Sequence, residues 1–151
     1  MWQPIAIRSA HASDVEEILL ILREVACQVP VNLSTSEHVR AIKEQINVCC
    51  LSGFSLVAAD NSGVIVGFQL AKEQMLDDER CIHLVYAGVT ATAREKKVFR
   101  QLIEAEKQHK LSLVAEVKPE NKSRMDERLT HYGFESFSAY NTMGNFRWDP
   151  K

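Results

Sequence analysis

Apolar and polar positions change period several times along the 151 residues, and each change marks an element. Ile5, Ala6 and Ile7 form a short strand that ends at Arg8 and a polar turn. Ser13 with Glu16 three residues on is a capping-box pair, and Val15, Ile18, Leu19, Ile21, Leu22 and Val25 then recur at helical spacing. A helix is therefore expected from about Asp14 to Cys27, stopped by Pro30. Ser34 with Glu37 opens a second helix, whose apolar stripe is Val39, Ile42, Ile46 and Cys49.

The period then becomes extended. Phe54 to Ala59 and Val64 to Leu70 are strands joined by the turn Asp60-Asn61-Ser62-Gly63, and Cys81 to Val89 is a third strand beyond the charged turn Leu76 to Arg80. A helix is expected from about Arg94 to His109 with Val98, Leu102, Ile103 and Ala105 inward, then the short strand Leu111 to Val117, broken by Pro119. A polar helix runs to Tyr132, Gly133 stops it, and two strands near Phe134 to Tyr140 and Met143 to Trp148 close the chain.

The predicted order is β, α, α, β, β, β, α, β, α, β, β. Short turns between the meandering strands require antiparallel pairing, whereas the strand, helix, strand passage over residues 81–117 requires a parallel crossover. A mixed, mostly antiparallel twisted sheet of about seven strands flanked by about four helices satisfies both, as a single domain over residues 1–151 with no linker or repeat.

Composition adds exclusions. With 46% hydrophobic and 25% charged residues the chain is globular rather than disordered or collagen-like. A net charge of −2 lacks the basic signature of a nucleic-acid or anionic-membrane binder. The N-terminus lacks a basic region followed by a long apolar run, and no apolar stretch reaches the roughly 18 residues of a membrane span. Cys27, Cys49, Cys50 and Cys81 make no Cys-x-x-Cys pair, so reduced thiols in a cytoplasmic protein are expected. His11, His38, His109 and His131 show no metal-binding spacing, and no Gly-x-Ser-x-Gly nucleophile motif is present, so no metal and no serine nucleophile are expected. Charge is uneven: residues 1–80 carry 6 basic and 11 acidic side chains, and residues 94–128 carry 10 basic and 7 acidic. The second stretch suits a small anion, and the acidic excess of the first suits a cationic substrate.

The stretch from Val89 through Arg94, Glu95, Lys96, Lys97, Val98 and Phe99 to Leu102 and Ile103, together with the element order, resembles the GNAT family of N-acetyltransferases. That family's cofactor signature leads from a strand-ending Val, five residues on, to Arg or Gln-x-x-Gly-x-Gly or Ala, and then to a helix with paired apolar residues. Val89, Arg94, Leu102 and Ile103 fit this pattern, while Lys97 and Phe99 replace its two small residues. Small residues there let backbone N–H groups at the helix start approach a pyrophosphate. Lys97 crowds that approach and brings an ammonium with Lys96, Arg94 and Arg100 in exchange.

The resemblance implies transfer of an acetyl group from acetyl-coenzyme A to a small-molecule or peptide amine, by direct attack of the amine on the thioester. It implies cofactor contacts from Ala87, Gly88 and Val89 on the fourth strand, from Arg94 through Phe99, and from Asn121. The family's downstream Tyr, four residues before Gly-Phe and the proton donor to the leaving thiolate, is replaced by Leu129, and either Tyr132, beside Gly133, or Tyr140 is the substitute. His83 falls six residues before the signature Val, where a carboxylate base commonly stands, with Tyr86 as a second candidate. Plain alternation puts His83, Val85, Ala87 and Val89 on one face of the strand and Ile82, Leu84, Tyr86 and Gly88 on the other. The rival expectation is a GNAT-like domain without catalysis, serving as an acyl-coenzyme A sensor or interaction module. Pairing through the last strands allows a homodimer.

Overall fold

The structure, a computed structural model, describes residues 4–26, 31–118, 124–139 and 142–151. Strand β1 (Ala6–Ser9) leads through a short 3-10 turn into helices α1 (Val15–Val25) and α2 (Ser36–Leu51). Strands β2 (Leu56–Ala59), β3 (Ile65–Leu76) and β4 (Glu79–Val89) follow as a meander. A 3-10 helix over Ala91–Lys96 then precedes α3 (Val98–Lys107), β5 (Ser112–Glu116), α4 (Met125–His131), β6 (Glu135–Ala139) and β7 (Thr142–Trp148).

The helix starts use different caps from those predicted. The Asp14 carboxylate, not Ser13, accepts the His11 N–H at 2.8 Å and holds the Arg8 guanidinium at 2.8 and 3.0 Å. That guanidinium is the main reason the Asp14 carboxyl lies below its usual range. At α2 the cap is Thr35 rather than Ser34, its Oγ1 accepting the His38 N–H at 3.1 Å. Helix α1 buries Ile18, Leu19, Ile21, Leu22 and Val25 on one stripe.

The seven strands lie in the order β1-β2-β3-β4-β5-β7-β6; β4 and β5 pair in parallel, and the other described neighbours are antiparallel. Strand β3 continues six residues past its predicted end. The hairpin to β4 turns at Asp77 and Asp78, both with positive φ (51° and 63°), a primed turn that acidic residues tolerate. Sequence alternation hid this, because Lys72, Glu73 and Met75 are exposed beyond the helices.

Helices cover both faces. Ile18, Leu22 and Ile46 pack on Phe68 and Leu70 on one side; Ile103 and Leu129 pack on Ile82 and Leu113 on the other. Helix α3 crosses tightly over Gly67: a Cβ there would sit 2.8 Å from the Val98 side chain. Its start at Val98, four residues later than predicted, follows from Lys97, which takes up a left-handed conformation (φ 56°, ψ 34°) between the 3-10 helix and α3. A side chain in that region is strained, and glycine is the residue it favours.

Candidate functional site

Two features of β4 build the site. First, its pairing with β5 runs only from Cys81↔Ser112 to Leu84↔Ala115. Past that point β5 stays with β7 on its other edge, where the Val117 N–H donates to the Gly144 carbonyl at 2.7 Å, while β4 stays on β3 as far as Gly67↔Val89. The strands part and leave Val85 to Ala87 along an opening. Second, the ladder with β3 slips between Leu70↔Tyr86 and Ala71↔Leu84, so Val85 is the extra residue of a β-bulge.

The bulge overturns plain alternation. His83, Val85, Tyr86 and Gly88 share the α1/α2 face: Val85 and Tyr86 pack into that core, and a Cβ on Gly88 would meet the Phe68 ring at 2.9 Å and Val25 at 3.3 Å. Ile82, Leu84, Ala87 and Val89 share the α3/α4 face. One extra residue thus brings His83 and Tyr86 to the same side, which a strict period of two separates.

The opening is a cleft of about 230 Å³. One wall is apolar, from Phe99 on α3, Met125 and Leu129 on α4, and Ala115 and Val117. The other is polar, from Gln45 on α2, His83, Tyr86, Glu116 and Lys118, and Gln69 of β3 also reaches the cleft. The Nδ1 atom of His83 is buried with no hydrogen-bond partner among the described residues. Burial is the main cause lowering the His83 pKa, reinforced by Lys72, its partner across the ladder, and opposed by Glu116. The imidazole is therefore neutral at neutral pH, with a lone pair to offer. Burial, and secondarily Cys49, raises the Tyr86 phenol above its usual value.

The other expected residues divide. Ala87 and Phe99 line the cleft with His83. Gly88, Val89 and Val98 are buried in the sheet and helix packing beside it. Arg94, Glu95 and Lys96 lie on the 3-10 helix, and Lys97 is exposed at the start of α3. The Ala91 N–H that begins this segment donates to the Glu24 carboxylate of α1 at 2.8 Å. Tyr132 lies outside the cleft lining: its ring packs 5.7 Å from Phe99, and its carbonyl accepts from Lys107 Nζ at 2.7 Å. Leu129, 1% exposed, occupies the cleft wall instead. Asn121, Tyr140 and Cys27 lie outside the described residues.

Sequence reasoning missed Gln45, Gln69, Glu116 and Met125. Gln69 carried a signal, a lone amide between Phe68 and Leu70 in an otherwise apolar strand. Among the described residues no group of three His, Cys, Asp or Glu side chains is placed to hold a metal, and no helix is long and apolar enough to cross a membrane.

No protein-family model and no curated protein matches the chain by sequence. Its fold is matched by solved structures. A GNAT-family acetyltransferase from Streptococcus agalactiae superposes with a TM-score of 0.77 at 12% identity, over 100% of this chain and 98% of that one. The PaiA N-acetyltransferase of Thermoplasma acidophilum, solved in complex with coenzyme A, gives 0.72 at 15% identity over 98% and 99%. A GCN5-related glucosamine N-acetyltransferase region in a fungal multi-domain GH3 β-N-acetylglucosaminidase gives 0.69 at 14% identity; 92% of this chain is covered, and it spans 18% of that protein's length. The chain has the GNAT acetyltransferase fold.

Proposed function

We propose that the protein is an acetyl-coenzyme A dependent N-acetyltransferase, a single domain over residues 1–151 acting in the cytoplasm on a small-molecule or peptide amine. The observation that carries this reading is the parting of β4 from β5 beside a half-buried imidazole whose Nδ1 has no hydrogen-bond partner among the described residues. The residues present suit such a substrate. Val85 to Ala87 offer a strand edge on which an amide-bearing arm can pair. At the start of α3 the first N–H groups have no intrahelical acceptor and the helix dipole favours an anion, with exposed Lys97 and Arg100 beside them. Arg94 through Phe99 and Asn121 are assigned to the same coenzyme, as are Gly88 and Val89 through their backbone.

An ammonium must lose its proton before the nitrogen can attack, and His83 takes that proton into the cleft. The C–N bond forms first, a β4 backbone N–H at the bulge stabilises the oxyanion of the tetrahedral intermediate, and the C–S bond breaks as the carbonyl re-forms and the nitrogen gives its surplus proton to water. Leu129 has no proton to give and Tyr132 sits behind Phe99, so the thiolate takes its proton from water. Holding amine and thioester together in a partly dry cleft supplies much of the rate. This chemistry needs no metal.

Leu129 and Lys97 also favour a second reading, an acyl-coenzyme A sensor or interaction module that binds without turnover. Thiol release from acetyl-coenzyme A, followed across a panel of small amines and peptides, separates the two. Release that depends on an amine and is lost in His83→Ala supports the enzyme. Tight binding with no release for any amine supports the sensor.

A further inference from the structure

Gln69 and Glu106 are 1% and 0% exposed, and they meet between β3 and α3. Gln69 Nε2 donates to Glu106 Oε1 at 3.0 Å and makes a longer 3.5 Å contact to the Leu102 carbonyl. Both amide hydrogens thus have acceptors on α3, and the Leu102 carbonyl, which can only accept, sets which way round the amide sits. The opposite atom, Oε1, is buried without a hydrogen-bond partner among the described residues, although Gln69 reaches the cleft. A buried acceptor left unmatched is a standing cost to the fold, and a methionine of similar length avoids it.

The position indicates which donor is missing. Gln69 pairs with Ala87 across the ladder, beside the stretch of β4 that β5 has left. Both face α3, while His83 and Tyr86 face the α1/α2 side because of the bulge. An N–H arriving at Gln69 therefore belongs to the thioester arm rather than to the attacking amine. Glu106 fits the same account. Burial pushes its carboxyl up to about 8, against the opposing Gln69 hydrogen bond, so at neutral pH it accepts from the amide without placing a negative charge beneath the cleft. His109 Nε2 lies 3.4 Å from Glu106 Oε2 without the geometry of a hydrogen bond.

Building on the acetyltransferase reading, we propose that Gln69 binds the acyl-thioester arm, its side-chain oxygen accepting an amide N–H, and that Glu106 is the positioning residue that keeps this oxygen presented to the cleft.

The test is calorimetric titration of the full chain with acetyl-coenzyme A, and with adenosine 3′,5′-bisphosphate, which has no arm. Gln69→Met is expected to raise the Kd for acetyl-coenzyme A about 3- to 10-fold, the loss of one hydrogen bond, and to leave nucleotide binding unchanged. Glu106→Met should raise it similarly by freeing the amide, the double variant should be no worse than either single one, and Glu106→Gln should restore binding. If Gln69→Met fails to fold, Gln69→Asn withdraws the oxygen with less disturbance. An unchanged Kd in the Gln69 variant, or equal losses for both ligands, overturns the assignment. Additive losses in the double variant overturn the positioning role. A wild-type protein that does not bind acetyl-coenzyme A overturns the acetyltransferase reading itself, and this inference with it.

Discussion

The two halves of β4 differ in what flanks them. From Cys81 to Leu84 the strand is paired on both sides, with β3 and β5, and Cys81 and Ile82 are buried. From Val85 onward the described pairing is with β3 alone, and Val85, Tyr86 and Ala87 are half-buried along the cleft. The residue types are similar in both halves. What separates them is a single extra residue and a departing neighbour, which leave a strand edge open along the cleft. The binding proposed for this edge rests on missing pairing rather than on a motif of side chains.

Substitutions on either side of that boundary should separate chemistry from stability. The largest effect is expected from His83→Ala: kcat about 10²- to 10⁴-fold lower at pH 7.5, with the Kd for acetyl-coenzyme A unchanged. Because burial lowers the His83 pKa, the wild-type kcat should rise with pH through a value below the ordinary 6.5 and stay flat above it. A rate still climbing above pH 7 would count against His83 as the base.

In the paired half, Ile82 is fully buried, so Ile82→Ala should cost about 2–5 kcal/mol in denaturant unfolding. Val85→Ala, in the parted half, should cost less than about 1.5 kcal/mol. Equal costs would erase the distinction between the halves.

Beneath the cleft, Glu106 has a folded-state pKa of about 8 against an ordinary 4.5. Between those values the folded protein holds a proton that the unfolded chain releases, so stability falls as pH rises through this window and levels off above it. Glu106→Gln removes that penalty and should stabilise the protein by on the order of 2 kcal/mol at pH 8, with little gain at pH 4.5. Melting temperatures measured from pH 4.5 to 8.5 give the comparison. The smallest effect is Lys97→Gly: relief of the left-handed side chain, partly offset by a freer unfolded chain, should raise stability by about 1 kcal/mol or less.

Much of this fold is legible in the chain. Apolar periodicity placed the strands and helices in their observed order, and the 81–117 passage required the parallel pair seen between β4 and β5. What escaped were features set by tertiary pairing. A bulge leaves no mark on local composition, so Val85 reads as an ordinary strand residue and His83 is separated from Tyr86. Lys97 reads as a helix residue because only backbone geometry reveals the left-handed turn ahead of Val98. Gln69 and Glu106 left visible traces, a lone amide between Phe68 and Leu70 and a carboxylate three and four residues beyond Ile103 and Leu102 on a buried helical stripe. The cleft residues Gln45, Glu116 and Met125 come together only because α2, β5 and α4 converge where the sheet opens, and no spacing along the sequence encodes that meeting.

The central claim is that the parted half of β4 binds an acyl-coenzyme A. It is tested most directly by titrating the purified protein with acetyl-coenzyme A in a calorimeter, with desulfo- and dephospho-coenzyme A as controls. The account predicts one-to-one binding at micromolar concentration or tighter. No detectable heat at high ligand concentration would contradict it and leave the opening as a feature of the scaffold alone.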